Sequence, residues 1–315
     1  MKYHTFPSIR RASLLGALTL CLAMPLHVRA AREQRFGSPD EAVNALKAAA
    51  ETQDKKALDK IFGPELHDLV SADPVQASNS FARFAQRISE KTELVHPSDS
   101  VTVLQIGLDA WPFPIPLVQK KDKWYFDTDA GKEEILNRRV GANELATIDV
   151  CYAYVQAQRE YASTDHKNDQ VLEYAQHLRS SPGQHDGLYW HAEPGDEQSP
   201  LGPLIAEARG EGYTHATKIM TDSQKPYHGY YFKVLTREGP HAPGGKYDYV
   251  INGHMIGGFA LVAWPEKWGN SGVMTFIINQ QGKVYEKNLG RRTASLASSM
   301  TTYDPDESWR LAQAP

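Results

Sequence analysis

The central strand pattern of the chain is His254-Met255-Ile256-Gly257-Gly258-Phe259-Ala260-Leu261-Val262-Ala263-Trp264. Successive side chains of a strand point to opposite faces. Here both alternating sets are apolar or small, with Ile256, Ala260 and Val262 on one face and Phe259, Leu261 and Ala263 on the other. Such a strand belongs at the centre of a sheet covered on both sides. Further strand patterns surround it at Tyr230 to Thr236, Tyr247 to Ile251, Val273 to Asn279 and Lys283 to Lys287. The turns Asn252-Gly253 and Gln280-Gln281-Gly282 join them into an expected antiparallel meander. Upstream, Leu145, Ile148, Tyr152, Val155 and Ala162 form one stripe of a helix from Asn143 to Ala162, suited to cover one face of the sheet. A polar region then runs to about Gln224. It is too long for a plain connection, so it holds short elements or functional surface.

The first half of the chain reads differently. Ser38-Pro39-Asp40-Glu41 places a capping serine, a proline at the first helical position and a glutamate three residues after the cap, so a helix starts at Pro39. A second helix is expected around Lys55 to Ile61, stopped at Phe62-Gly63-Pro64, and a third near Val75 to Ser89. The period then changes to two in Val101 to Gly107. A hairpin follows, Pro116 to Lys120 and Trp124 to Asp127 about a Lys121-Asp122 turn. Helices followed by antiparallel strands make the class α+β. The glycines and mixed charges of Thr128 to Gly141 suggest a boundary there, giving units 31–135 and 136–315 after a leader at 1–30.

That leader has the three zones of a secretory signal: Lys2, Arg10 and Arg11, then an apolar run from Ala12 to Met24, then small residues at Val28 and Ala30. Cleavage is expected after Ala30, placing the mature protein in the periplasm or outside the cell without membrane insertion. General secretion is the expected route, with Arg10-Arg11 leaving twin-arginine export open. Leu18-Thr19-Leu20 before Cys21 lacks the small residue that lipoprotein processing requires. Four of the 34 basic residues and no acidic ones leave with the leader, so the formal charge moves from −4 to −8. This argues against nucleic acid as a partner. Cys151 is the one cysteine left, and no internal disulfide can form.

Trp111-Pro112-Phe113-Pro114-Ile115-Pro116-Leu117-Val118, Trp124 to Thr128, Gly131 to Arg139, Asp186 to Trp190, Ser199 to Leu204, Pro226 to Phe232 and Gly257 to Pro265 together resemble an exported bacterial family catalogued as domain of unknown function 2950 (DUF2950). The resemblance implies no reaction or catalytic residues. The segment from Asn143 onward is also similar to type IV pilin and pseudopilin heads, through Ala157-Gln158-Arg159-Glu160-Tyr161 in a long helix, a variable loop and a sheet bearing Gly229-Tyr230-Tyr231-Phe232. It lacks the apolar N-terminal extension that assembles the pilus. The first unit looks like an NTF2-like or cystatin-like fold in its order of elements.

Several constellations were weighed for chemistry. Asp165 to Asp169 with Glu173 has oxygen ligands at alternating positions, but Lys167 stands at a ligand position and Gln170 at the turn glycine of a calcium loop. It is read as a solvated continuation of the helix. Cys151 is read as a buried inert thiol, and Gly269-Asn270-Ser271-Gly272 as a turn, since it lacks nucleophile-elbow spacing. Trp111-Pro112-Phe113-Pro114 is read as a rigid segment filling the first core or its seam with the second. His185, Asp186, Tyr189, Trp190 and His191 are read as loop packing. If Tyr230 to Thr236 and Tyr247 to Ile251 pair as a hairpin, then Tyr227, His228, Asn252 and His254 meet at one end of the sheet. These four are the expected ligand-binding candidates, for a polar or carbohydrate-like ligand. No metal, cofactor or catalytic residue is expected. The expected function is non-catalytic binding or assembly in the cell envelope, with an envelope protein or polar ligand as partner. The alternatives are a hydrolase using histidine and carboxylates of the long loop, or a pseudopilin-like subunit.

Overall fold

The computed structural model describes residues 33–193, 195–214 and 225–313. The leader at 1–30 lies outside them.

The first lobe opens with α1 (Pro39–Glu51), entered through Ser38, whose hydroxyl accepts from the Glu41 N–H. Two shorter helices follow, α2 (Lys55–Phe62) and α3 (Leu66–Leu69), then α4 (Pro74–Glu90), capped by Asp73. The sheet comprises β1 (Thr92–Ser98), β2 (Val101–Ile106), β3 (Trp111–Pro112), β4 (Leu117–Lys120) and β5 (Lys123–Phe126), in the order β1-β2-β4-β5 with β3 on β2. In β2, Thr102, Leu104 and Ile106 are buried while their neighbours are half-buried, the alternation that identified it. Lys121 and Asp122 both have positive φ in the β4–β5 turn. Phe113 packs within 6.1 Å of Phe62, 5.4 Å of Phe84 and 6.1 Å of Phe126, so this part of the Trp-Pro-Phe-Pro segment belongs to the first core.

The segment 128–141 is helical. It forms the start of α5 (Thr128–Tyr161), 34 residues long and about 51 Å at 1.5 Å per residue. The helix starts where the Asp127 side chain accepts from the Ala130 N–H. Gly131 and Gly141, which suggested a boundary, are helical. Gly131 is required for contact, because a Cβ there would stand 2.7 Å from Ile115 Cγ1. Ile135 packs on the first core, while Ile148, Cys151, Tyr154, Val155 and Tyr161 lie in the second. The buried face also differs from the expected stripe: Leu145 and Tyr152 are exposed.

The second lobe has a five-stranded sheet, ordered β17-β15-β14-β13-β8. Its strands are β8 (Tyr230–Leu235), β13 (Ala260–Pro265), β14 (Thr275–Asn279), β15 (Tyr285–Lys287) and β17 (Arg310–Leu311). Every residue of β13 and β14 is buried. On one face lies α5, whose Tyr154 hydroxyl donates to Ala260 O. On the other lie α7 (Thr293–Ser299) and a small sheet of β9 (Arg237–Glu238), β10 (Tyr247–Asp248) and β16 (Thr302–Tyr303). The expected strand from His254 to Trp264 is two elements: β12 (His254–Met255) pairs with β11 (Val250–Ile251), and β13 starts afresh at Ala260. The break falls at Gly257, packed on the Asp248 and Tyr249 backbone, and Gly258, with φ of 146°. The long polar region carries β6 (His177–Arg179), β7 (Gly187–Tyr189) and α6 (Gly202–Gly210).

Candidate functional site

The four expected site residues do not assemble. β8 pairs with β13, Tyr230 opposite Pro265 and Leu235 opposite Ala260. Tyr227 and His228 therefore lie beyond one end of that pair, and Asn252 and His254 beyond the other, about 17 Å away at strand rise. The physical reason is that Tyr247 to Ile251 does not form the next strand of the main sheet. Its first two residues pair with β9 and its last two fold back on β12. Asn252 and Gly253 make that turn with φ of 52° and 88°. His254 Nδ1 lies 3.4 Å from Glu173 Oε2, and Glu173 Oε1 takes Lys167 at 2.5 Å.

The other pair occupies a more informative place. Tyr227 and Tyr230 exchange both backbone hydrogen bonds, so His228 and Gly229 are the central residues of a two-residue hairpin, with φ of 46° and 71°. Such turns prefer Asn, Asp or Gly at both positions. Histidine adopts this left-handed conformation more readily than most residues with a Cβ. Gly229 has no alternative, since a Cβ would meet Ser271 Cβ at 2.7 Å. The His228 ring is anchored from both lobes: Gln76 Nε2 of α4 lies 3.3 Å from Nδ1, and Glu211 Oε2 lies 3.2 Å from Nε2. The approach of Glu211 is off the hydrogen-bond axis, so its buried Oε2 has no hydrogen-bond donor of its own among the described residues.

Around this histidine the lobes are stitched by polar contacts. Gln76 donates to Asn143 Oδ1 at 2.7 Å, and Asn143 donates to Ser271 O at 2.7 Å. The Tyr213 hydroxyl donates to buried Asp73 at 2.6 Å and accepts from the His228 backbone N–H at 3.3 Å. Burial, then the Asp73 hydrogen bond, pushes the Tyr213 hydroxyl above its ordinary pKa, so it remains a donor.

His228, Glu211 and Tyr213 line a cleft of about 660 Å³ between α4, the first half of α5 and the end of α6. Arg83, Arg87, Arg138 and Arg139 also line it. Arg87 pairs with Asp109 and Arg138 with Glu134, and both guanidinium groups lie over Trp111, at 5.6 and 4.8 Å. Trp111 thus faces the cleft while Phe113 enters the core. Arg83 and Arg139 have no carboxylate partner among the described residues. Arg139 is half-buried, bonded to Leu69 O and, at 3.4 Å, to Asn270 Oδ1, both uncharged. Burial lowers its pKa, yet a guanidinium stays charged. The arrangement can neutralise an anion at the arginines and accept a hydrogen bond at Glu211.

The remaining sequence candidates resolve simply. Asp165 accepts from the backbone N–H groups of Gln170, Asp169 and Lys167, which hold its carboxyl below the usual range and use up the oxygens a calcium ion would need. Cys151 is fully buried, and desolvation pushes its thiol up to about 12. Ser271 Oγ is tied to the Lys267 backbone. Sequence reasoning missed Gln76, Asn143, Glu211, Tyr213 and the arginines, for which the Tyr227-His228-Gly229-Tyr230 string was the one available signal.

Fold and cleft define a two-lobed α+β protein with an arginine-lined cleft between the lobes. The family model described as "Protein of unknown function (DUF2950)" matches residues 33–312, and the chain belongs to that family. No curated protein and no solved structure matches it.

Proposed function

We propose that the protein is an exported, non-catalytic binding protein of the cell envelope, whose inter-lobe cleft captures a small acidic polar ligand. The observation that carries this reading is the pair Arg83 and Arg139, two guanidinium groups of the cleft without carboxylate partners among the described residues. Arg139, half-buried and facing only uncharged acceptors, gains from an anionic partner, and Arg83 adds a second, exposed charge. Glu211, in the same cleft with an unbonded buried oxygen, suits a hydroxyl or amine of the same ligand. An acidic sugar or an acidic peptide has this polarity.

The hydrolase alternative, built on histidine and carboxylates of the long loop, has less support, because among the described residues no serine or threonine hydroxyl and no thiol hydrogen-bonds to the rings of His166, His177, His185 or His191. The pseudopilin alternative is disfavoured because the first half of α5, the part that would pack in a fibre, lies against the first lobe. The likeness to pilin heads and to NTF2-like or cystatin-like folds remains part of this reading only as an order of elements.

Calorimetry with uronic acids, N-acetylmuramic acid and acidic dipeptides, each beside its neutral methyl ester, tests the proposal. At least one acid is expected to bind, its ester more weakly. Arg83→Met, at an exposed position, is expected to weaken the acid by about 10- to 100-fold, the worth of one charged hydrogen bond of ~1.5–3 kcal/mol. Equal binding of acid and ester, or an unchanged Arg83→Met variant, refutes it.

A further inference from the structure

At the far end of α5 from the cleft, His166, His185 and Glu197 bring one ligand atom each to within 4.8 Å of one another. Tyr161, which ends α5, is 18 residues beyond Asn143, about 27 Å along the helix, so this cluster is separate from the arginine-lined cleft. We infer that it is a binding site for a divalent transition metal, zinc foremost, held by two imidazoles and one carboxylate.

The convergence of two imidazole nitrogens on one carboxylate carries the inference. His166 Nε2 lies 3.1 Å from Tyr161 O. A carbonyl oxygen can only accept, so Nε2 bears the hydrogen. Nδ1 then presents either a lone pair or a second proton, and it faces Glu197 Oε1 at 3.8 Å. A divalent cation placed between that nitrogen and the carboxylate would be held by both. His185 repeats the geometry from the other side, its Nδ1 being 3.5 Å from Glu197 Oε2. Two imidazole nitrogens thus converge on one carboxylate, and one of the rings already donates its other N–H to a backbone carbonyl. That outer hydrogen bond is the usual device for orienting a metal-binding histidine.

The three groups come from separate segments, and two aromatic residues hold them in place. The His166 ring stacks on Tyr161, centroids 4.1 Å apart, and the His185 ring on Trp190, also 4.1 Å apart at 13°. The Tyr161 hydroxyl donates to His185 O at 2.6 Å, and Trp190 Nε1 donates to Glu197 O at 3.0 Å. Tetrahedral zinc with bonds near 2.0–2.2 Å needs its ligand atoms roughly 3.4 Å apart. Separations of up to 4.8 Å therefore require a closure of up to about 1.4 Å, shared between the exposed His185 and Glu197 side chains. The set offers three protein ligands and leaves a fourth position open. Its nitrogen and oxygen donors suit zinc and its neighbours, not calcium or magnesium, which take oxygen alone.

The test uses the whole protein, stripped with chelator and titrated with zinc chloride in a calorimeter, and with cobalt chloride while visible absorption is recorded. One equivalent of zinc is expected to bind, and cobalt to give the intense absorption of a low-coordinate site. His185 and Glu197 are 41% and 50% exposed in their side chains, so His185→Gln and Glu197→Gln leave the core intact, which circular dichroism would verify. Each single variant is expected to bind zinc at least 10-fold more weakly, the double variant not measurably, and His228→Ala like the unaltered protein. Absence of stoichiometric binding overturns the assignment, as does binding that survives in the double variant or is lost in His228→Ala.

Discussion

Substituting each of two glycines in α5 by alanine should move stability in opposite directions. At Gly141 a Cβ would meet nothing within 4 Å, while at Gly131 it would stand 2.7 Å from Ile115 Cγ1, 2.9 Å from Ile115 Cα and 3.0 Å from Pro114 O. Gly141→Ala therefore keeps only the entropic advantage of alanine in a helix, a gain of about 0.5–1 kcal/mol. Gly131→Ala has the same advantage but must push aside backbone atoms held between prolines. Overpacking of that kind costs ~1–3 kcal/mol, leaving a net loss of up to about 2 kcal/mol. For a cooperative unit of this size 1 kcal/mol shifts Tm by roughly 2–4 °C. Gly141→Ala is thus expected to raise Tm by about 1–4 °C and Gly131→Ala to lower it by up to about 8 °C, read by scanning calorimetry. A flexible linker would respond to neither change in this way. If Gly141→Ala lowers Tm, or both variants melt like the parent, a continuous helix through 128–141 is wrong.

Two further outcomes follow from buried and paired groups. Gln158 is fully buried, its carboxamide accepting from Ala175 N at 2.9 Å and donating to Ala175 O at 2.8 Å and to the Tyr154 hydroxyl at 3.0 Å. Gln158→Leu strands both backbone groups of Ala175 and should cost about 2–4 kcal/mol in urea unfolding; a loss below about 1 kcal/mol would show that water or a shift of chain repairs them. His241 Nδ1 lies 3.0 Å from Asp304 Oδ2, and that hydrogen bond, with the aspartate charge, raises the histidine above 6.5. A raised folded-state value means a stabilising contribution fully present below about pH 6.5 and lost as pH rises through the folded midpoint. Proton NMR should place the His241 midpoint above 6.5 and lower it in Asp304→Asn, whereas a midpoint at or below 6.5 in the parent would contradict the pairing.

The α+β class and the elements of the first lobe were legible because their signals are local. Ser38 and Pro39 start a helix through their own neighbours, and Thr102, Leu104 and Ile106 alternate within one strand. The first half of α5 was not legible, because its glycines answer to contacts that local patterning does not encode. Gly131 is small to admit Ile115, which looks the same in sequence as a glycine in a turn. The helix also turns different faces to two cores, so no single stripe runs its length. The sheet order escaped for a related reason. Nothing in Tyr230 to Leu235 states that its partner is β13 and not the strand pattern that comes next. Site assembly failed with it, since His228 and His254 were joined only through that assumed pairing. The groups around His228 are drawn from Gln76 to Ser271, and His166, His185 and Glu197 lie too far apart in sequence for any zinc spacing to reveal them.

A helix embedded in both cores has a consequence for anyone who wishes to dissect this molecule. A cut before Ile135 takes that side chain from the first core, and a cut after Ile148 takes from the second lobe residues that cover β13. A cut between them puts Asn143 on a different piece from Gln76 or from Ser271. Truncation and fusion should respect residues 33–312, the span that carries both cores and the helix they share.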